Sequence, residues 1–190
     1  LQGGVFSDNI EDTDSKNRGV DARIVFMPEA GDTQLHFGGS VHYNDLNDPA
    51  AEVRYRQRPL VHFTSQRFIN TGSMGARSET GFGIEAAAIA GRFHAAAEGY
   101  WQTVDMPALA SDPTFFGGYA EAGVFLTDDS RGYKGGKFDR TKPQRPVGEG
   151  GFGSLQFTLR YDHLDLTDAG ILGGRDASAV GGVEGGCNRV

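Results

Sequence analysis

The sequence predicts an all-β protein whose antiparallel strands form a transmembrane β-barrel, and three observations support that fold class. Apolar and polar residues alternate with a period of two in several segments, as they do in strands that have two different faces. Long polar stretches, rich in glycine, separate some of these segments, and glycine accounts for 29 of the 190 residues. No apolar run approaches the roughly 18 to 20 residues that a membrane-spanning helix needs. A helical membrane protein is therefore excluded, whereas a barrel is compatible with the mean hydropathy of −0.40.

The composition is that of a chain that folds. It is 38% hydrophobic and 11% aromatic with a net charge of −7, which excludes a disordered chain, and its glycines show no collagen period. The single cysteine, Cys187, can form no intrachain disulfide. Because the chain opens in mid-pattern without a signal peptide, we expect a mature fragment. Residues 1–170 are predicted to be the barrel segment, and residues 171–190 a glycine-rich tail that is irregular or truncated.

The first predicted element is a hairpin of residues 19–27 and 34–44, joined by a turn at residues 28–32. In the first strand one face carries Val20, Ala22, Ile24 and Phe26, and the other Asp21 and Arg23. In the second strand one face carries Leu35, Phe37, Val41 and Tyr43, and the other His36, Ser40 and His42. Both strands therefore have an apolar and a polar face.

Residues 52–58 are predicted to be the next strand, with Val53 and Tyr55 on one face. Arg54, Arg56 and Arg58 share the other face, because residues two apart in a strand project to the same side. Successive guanidiniums would then lie about 6 to 7 Å apart and repel one another unless anions or carboxylates lie among them. The pattern alone favours another explanation, in which these arginines form the solvated face of a sheet-edge strand.

Residues 81–90 and 93–103 are predicted to pair as strands joined at Gly91 and Arg92. The alternative is one alanine-rich helix, because alanine is the best helix former. Such a helix would carry Gly91 near its middle, and the polar residues obey period two within each half better than they mark a helical face. The sequence therefore favours the strand pair.

Two more strands follow, at residues 115–127 and 154–164, which brings the convincing strands to seven. The polar stretch between them, residues 128–151, is expected to be a solvated external loop. Its basic residues invite a nucleic-acid interpretation, but it has few aromatic residues for stacking and the whole chain is acidic, so no nucleic-acid partner is expected. No strand is assigned in the tail.

Three stretches of the sequence together resemble the phosphate-selective porins of the O and P type, in an order and spacing that cover roughly residues 15 to 170. The first is Val53-Arg54-Tyr55-Arg56-Gln57-Arg58-Pro59, followed by Arg67-Phe68-Ile69-Asn70-Thr71-Gly72. The second runs from Phe116-Gly117-Gly118-Tyr119 to Ser130-Arg131-Gly132-Tyr133-Lys134. The third is Leu159-Arg160-Tyr161-Asp162-His163-Leu164-Asp165-Leu166-Thr167-Asp168.

This resemblance implies a bacterial outer-membrane barrel of roughly sixteen strands that assembles as a homotrimer and passes phosphate or other small anions. The chain would then lack the N-terminal half and the last strands, and the family's inward-folded constriction loop would lie mostly upstream. In the resembling family a ladder of arginines guides phosphate along the pore, and Arg54, Arg56 and Arg58 match part of it. Arg67 is expected to continue the same wall.

The remaining polar residues suggest no other chemistry. His36, His42 and His94 lack the close-spaced partners of a zinc site, so no metal is expected. Glu85, Glu98 and Glu121 are expected to balance lumen arginines rather than to form an acid/base pair. Neither a catalytic residue nor a cofactor is predicted, because passive transport needs no covalent chemistry, and the protein is not expected to be an enzyme.

Two alternatives stay open at this point. One is a soluble all-β ligand-binding module, and the other is a small eight-stranded outer-membrane barrel that does not conduct. If the chain is a fragment of a porin, its 190 residues by themselves are not expected to be a functional channel, since an incomplete barrel leaves two unpaired strand edges that lipid cannot satisfy.

Overall fold

In the computed structural model, the described residues are 1–7, 17–47, 50–58, 65–67, 69–169 and 171, together with the backbone of 176–181. Every regular element among them is a β-strand. None of these residues forms a helix of the length and hydropathy that crossing a membrane requires. Cys187, Pro59 and Phe68 lie outside the described residues.

The strands fall into one large sheet and three short two-stranded sheets. In chain order they are β1 (Gln2–Ser7), β2 (Arg18–Phe26), β3 (Glu29–Ala30), β4 (Thr33–Asp45), β5 (Glu52–Val53), β6 (Arg56–Gln57), β7 (Ile69–Asn70), β8 (Met74–Gly75), β9 (Ser78–Ala90), β10 (Phe93–Asp105), β11 (Thr114–Phe125), β12 (Gly132–Lys134), β13 (Lys137–Asp139), β14 (Gln156–Asp165) and β15 (Asp176–Gly181). The large sheet has the order β1-β2-β4-β9-β10-β11-β14-β15, and β3 pairs with the start of β4. All neighbours in this sheet are antiparallel, which confirms the predicted fold class.

The alanine-rich segment forms two strands and no helix, as the sequence predicted. β9 and β10 have 13 residues each and pair in register from Ala90 opposite Phe93 to Ser78 opposite Asp105. The turn between them is short, and Gly91 adopts a φ of 56°, which costs glycine little and other residues more. The position of Gly91, which argued against a helix, is therefore required by the turn.

The large sheet has two chemically different faces. Its apolar face exposes bulky hydrophobic side chains, with Ile84 60% and Leu159 54% accessible. Residues on this face include Val20, Ile24, Phe26, Phe37, Val41, Phe82, Ile84, Phe93, Phe157, Leu159 and Tyr161. Its polar face carries Asp21, Arg23, His36, Ser40, Glu85, Glu98, Tyr100, Tyr119, Glu121, Arg160 and Asp162. A soluble module would not expose such a continuous apolar face, whereas the wall of a membrane barrel requires it.

The prediction of a wall strand at residues 52–58 is wrong. β4 pairs directly with β9, so residues 46–77 form a connection between two neighbouring strands, here called the arginine loop. Within it β5 pairs with β8, and β6 with β7, over two residues each.

The alternation in this segment has another cause, which is burial against the sheet. Val53 belongs to a hydrophobic cluster with Met74, Val104, Phe115 and Leu166, and Tyr55 packs against that cluster. The rings of Tyr55 and Phe115 lie 5.4 Å apart between centroids. The apolar residues therefore anchor the loop on the sheet, and the arginines alternate with them for that reason.

A second long connection, residues 126–155, contains the stretch 128–151 that was expected to be a solvated external loop. Part of it forms the hairpin β12–β13 and lies against the polar face of the sheet. Arg23 donates a hydrogen bond to the carbonyl oxygen of Gly136 at 3.0 Å, which ties β2 to this connection. We call residues 126–155 the hairpin loop.

Two strands of the sheet were not predicted from the sequence. β1 precedes the first predicted hairpin, and β15 lies in the glycine-rich tail, where its backbone pairs with β14 from Asp165 opposite Asp176 to Arg160 opposite Gly181. The sheet runs from β1 to β15, and these two strands do not pair with each other within the described part of the chain.

Candidate functional site

A large cavity lies between the arginine loop and the polar face of the sheet. Its volume is about 700 Å³. Gln57, Arg58 and Ile69 line it from the loop. The strands contribute Ser40, Glu85, Glu98, Tyr100, Tyr119 and Asp162, among others. The cavity therefore brings a guanidinium of the loop opposite carboxylates and tyrosines of β9, β10, β11 and β14.

The other loop arginines lie close to this cavity. Arg54 and Arg56 line a neighbouring cavity of about 360 Å³ together with Tyr100. The Arg54 guanidinium donates to Oδ1 of Asn70 at 2.9 Å, and that of Arg67 to the carbonyl oxygen of Ser65 at 2.8 Å. Arg54, Arg56 and Arg58 thus lie at cavities on the polar face of the sheet, although a loop and not a strand carries them, whereas Arg67 lines neither cavity.

The arginines of the loop affect one another. Desolvation, together with the positive charges of Arg58 and Arg56, lowers the pKa of Arg67. The pKa of a guanidinium is so high that Arg67 nevertheless stays charged at neutral pH. Arg56, Arg58 and Arg67 therefore form a cluster of like charge.

None of these loop arginines pairs with a carboxylate of the described residues. The ion pairs found among the described residues involve other cations, namely Arg23, His36, His42, Arg77, Arg92 and Arg160. Arg54 and Arg67 instead donate to neutral oxygens of the loop.

The wall arginines, by contrast, are neutralised by carboxylates of the same face. Nε and Nη2 of Arg23 donate to the two carboxylate oxygens of Glu85 at 2.7 and 2.9 Å. Arg160 donates to Asp162 at 2.8 Å and to Glu121 at 3.1 Å. Its guanidinium also lies 3.6 Å from the ring centroid of Tyr119, a cation–π contact.

Glu85 and Glu121 pair with arginines, as expected: Glu85 with Arg23 and Glu121 with Arg160. Glu98 instead accepts a hydrogen bond from the Tyr119 hydroxyl at 2.7 Å. Sequence reasoning did not include Arg23 and Arg160 among the site residues. The signal that could have found them is their place on the polar face of predicted strands.

The arginine loop is also held at its base. The Tyr55 hydroxyl donates a hydrogen bond to Glu79 on β9, and the Thr71 side chain accepts one from the Tyr55 backbone N–H at 3.1 Å. Burial raises the pKa of Tyr55, and the hydrogen bond to Glu79 raises it further. Tyr55 therefore stays protonated and keeps donating across the accessible pH range.

The hairpin loop is fixed on the polar face at the opposite ends of the strands. Nδ1 of His36 and the Tyr133 hydroxyl lie 2.5 Å apart. At its base the Asp129 carboxylate accepts hydrogen bonds from the Thr127 hydroxyl at 2.5 Å and the Gln144 N–H at 2.7 Å. Desolvation acts against the Asp129 charge, but these hydrogen bonds outweigh it and hold the pKa below its usual range.

The histidines do not assemble a metal site. Among the residues that the structure describes, no group of three or more His, Cys, Asp or Glu side chains could hold a metal ion. His36 and His94 are buried, and His42 pairs with Asp21.

An antiparallel sheet with one apolar face, one polar face and loops folded over the polar face defines the wall of a transmembrane β-barrel with an aqueous interior. Residues 1–184 match the family model described as phosphate-selective porin O and P, and the chain belongs to that family. The family consists of β-barrel porins, which are channels and not enzymes, typically of the bacterial outer membrane.

Two curated relatives match along nearly the whole chain. An uncharacterised protein of Caulobacter vibrioides is 48% identical over 187 residues, covering 92% of this chain and 38% of that protein. Porin O of Pseudomonas aeruginosa is 29% identical over 203 residues, covering 95% of this chain and 45% of that protein. The chain thus spans less than half the length of the curated relatives it matches.

Proposed function

We propose that this chain forms part of the wall and the inner surface of an outer-membrane channel that passes small anions, phosphate foremost. In this proposal the anion is attracted by guanidiniums of the arginine loop and moves from one to the next. These guanidiniums belong to Arg54, Arg56, Arg58 and Arg67. The observation that carries the proposal is the contrast between the loop arginines, which have no carboxylate partner among the described residues, and the paired Arg23 and Arg160 of the wall.

The physical argument concerns the electrostatic barrier. Three neighbouring guanidiniums repel one another, so an anion that enters relieves their repulsion as well as gaining attraction. A guanidinium fork also matches two phosphate oxygens, which favours phosphate over a monatomic anion. Because each arginine remains exposed to water, binding stays weak enough for the anion to leave, as conduction requires.

The family supports this reading, since its description names phosphate selectivity. Its typical setting gives the partners that we propose for the intact protein: small anions, outer-membrane lipid against the apolar face, and two further copies in a homotrimer. No cofactor and no covalent step enter this function.

The test is ion selectivity in a planar bilayer. We expect the double variant Arg56→Gln with Arg58→Gln to lower the anion-to-cation permeability ratio several-fold, measured from reversal potentials in potassium phosphate gradients. Arg77→Gln is the matched control, because Arg77 lies in the same loop but pairs with Asp105 at 3.4 Å. An unchanged ratio in the double variant would contradict the proposal, and absence of any conductance from the intact protein would favour a non-conducting barrel.

A further inference from the structure

The cavity beside Arg58 is larger than an inorganic anion needs. Its volume of about 700 Å³ falls within the range of about 300 to 1,000 Å³ that is usual for sites of organic ligands. A phosphate ion bound at Arg58 would leave most of that space to water. The part of the cavity away from Arg58 therefore needs a separate account.

Tyr100 is the central side chain of this region. It lines the cavity of about 700 Å³, the neighbouring one of about 360 Å³, and a third of about 550 Å³ between β1, β2 and β4. Its side chain is 40% accessible although the residue lies in the middle of the sheet. Tyr100 is thus accessible from three cavities on the polar face of the sheet.

The ring of Tyr100 lies along β9 because two glycines leave room for it. A Cβ built on Gly81 would lie 2.8 Å from Cζ of Tyr100, and one built on Gly83 would lie 3.1 Å from Cδ2. Since neither glycine has a side chain, the ring rests against the backbone of the neighbouring strand. This contact fixes the ring as a flat platform at the wall of the cavity, with no side chain of Gly81 or Gly83 in the way.

The groups around the platform are of the kind that bind hydroxyl groups. The side chains of Ser40, Gln57 and Tyr100 make no hydrogen bond with any other described residue, and all three line the cavity. One carboxylate oxygen of Glu98 accepts from Tyr119, which leaves the other oxygen for a further donor. Hydroxyls can both donate to Glu98 and accept from Ser40, Gln57 or Tyr100.

The charges restrict the occupant further. Glu98 lines the cavity and has no ion-pair partner among the described residues, whereas Glu85 and Asp162 are paired with Arg23 and Arg160. The unpaired charge of Glu98 would repel a second anionic group on the solute. A solute with one phosphate and a neutral, hydroxyl-bearing body meets both sides of the cavity. A nucleoside monophosphate could place its base against the ring, but most of its hydrogen-bonding groups lie along the edge of the planar base, whereas a sugar carries hydroxyls all round its ring.

We propose that the channel is built to pass phosphate monoesters of sugars, with the phosphate at Arg58 and the sugar ring against Tyr100. The apolar CH groups of the sugar contact the tyrosine ring, and its hydroxyls reach Glu98, Ser40 and Gln57. This inference rests on the proposed function, because it takes Arg58 as the phosphate-binding group.

The experiment compares two blockers of the chloride current through the intact protein in a planar bilayer, namely glucose 6-phosphate and inorganic phosphate. In the wild type we expect glucose 6-phosphate to block at a lower concentration than phosphate. The discrimination is the half-blocking concentration of phosphate divided by that of glucose 6-phosphate. Tyr100→Leu should reduce this ratio by about five-fold, the size of effect that one aromatic contact gives. Tyr43→Leu is the matched control, because Tyr43 lies on the apolar face with a similar accessibility of 44%.

Gly81→Ala provides a second variant in case Tyr100→Leu fails to fold. The added methyl group would lie 2.8 Å from Cζ of Tyr100, so it displaces the ring without removing it, and the same loss of discrimination is expected. Equal block by both solutes in the wild type, or a ratio that neither variant changes, would overturn the inference, and stronger block by adenosine monophosphate would replace the sugar by a nucleoside.

The outcomes separate the two proposals. If Arg58→Gln weakens block by inorganic phosphate while Tyr100→Leu leaves the ratio of half-blocking concentrations unchanged, only the inference about sugar phosphates fails. If Arg58→Gln changes block by neither solute, the role of the loop arginines fails as well.

Discussion

At the residue scale, the arginines of the inner surface divide by their partners. Arg23 and Arg160 hold carboxylates of adjacent strands and so stabilise the wall. Arg56 and Arg58 have no such partner among the described residues and lie on a loop. Residue type alone therefore does not assign a role, whereas the presence or absence of a nearby carboxylate does.

Glu85→Gln tests the structural role of the paired arginines. The change leaves the Arg23 charge, whose side chain is 27% accessible, without its carboxylate, at an expected cost of about 1 to 3 kcal/mol. Because Arg23 also donates to Gly136, we expect the hairpin loop to loosen and trypsin to cleave after Lys134 and Lys137 several-fold faster.

Glu79→Gln is the control for this prediction, since Glu79 lies on the same face of β9 but contacts Tyr55 of the arginine loop. Equal cleavage rates in wild type and Glu85→Gln would show that the ion pair does not hold the hairpin loop.

Sequence reasoning placed Arg54, Arg56 and Arg58 on one side of the backbone, and the structure brings them to cavities on the inner side. The sequence could not predict that Arg67 lies near Arg56 and Arg58. Their proximity depends on the pairing of β6 with β7, and the residues between these strands show no pattern that predicts it. Whether these arginines bind anions remains the prediction that the bilayer experiment tests.

At the element scale, period-two alternation located the long strands and misled for the short ones. A wall strand alternates because lipid and water lie on its two sides, but Val53 and Tyr55 alternate because a loop packs on the sheet. A wall strand and a packed loop give the same alternation over a few residues. The direct pairing of β4 with β9 shows that residues 52–58 belong to a loop. β15 was missed because its six residues are mostly small, and only Val180 among them is a bulky apolar residue typical of strands.

The hairpin loop should respond to acid through Asp129. Its pKa is held below the usual value in the folded protein, so the charge contributes stability above the unfolded pKa of about 3.9 and loses it as the pH falls through the folded value. We expect protease accessibility of the loop to rise as the pH falls below about 4.

Asp129→Asn should show raised accessibility already at neutral pH and little further change in acid. Pepsin, which is active at low pH, and thermolysin at neutral pH would provide the two measurements. Asp128→Asn is the control, because the Asp128 side chain is 92% accessible, and a matching response in the two variants would contradict a special role for Asp129.

At the scale of the whole molecule, the two-sidedness of the sheet is the property that the sequence predicted best. Each long strand carries its own alternation, so the faces can be assigned without knowing which strand neighbours which. The order of the long strands in the sheet is the order in which they occur along the chain, because each pairs antiparallel with the next. The inward course of the two long loops could not be predicted, because it depends on contacts between residues far apart, such as His36 with Tyr133.

Ile84→Arg tests whether the apolar face meets lipid. Ile84 lies at the centre of β9 and is 60% accessible, and an arginine at the middle of a bilayer costs a barrel about 2 to 4 kcal/mol. We expect a matching loss in the free energy of unfolding from phospholipid vesicles, measured by denaturant titration. Gln102→Arg, on the polar face, should cost far less, and equal costs would mean that the apolar face is not in the membrane.

The inward course of both loops separates two tasks that a barrel wall would otherwise have to perform together. Hydrogen bonds between the long strands hold the sheet, while the arginine loop supplies Arg58 and bounds the cavity of about 700 Å³. Because Val53 and Met74 of the same loop belong to the hydrophobic cluster, its packing depends on the apolar residues and not on the exposed arginines between them. Substitutions at Arg56 and Arg58 could therefore change which solutes are admitted while the loop keeps its place on the sheet.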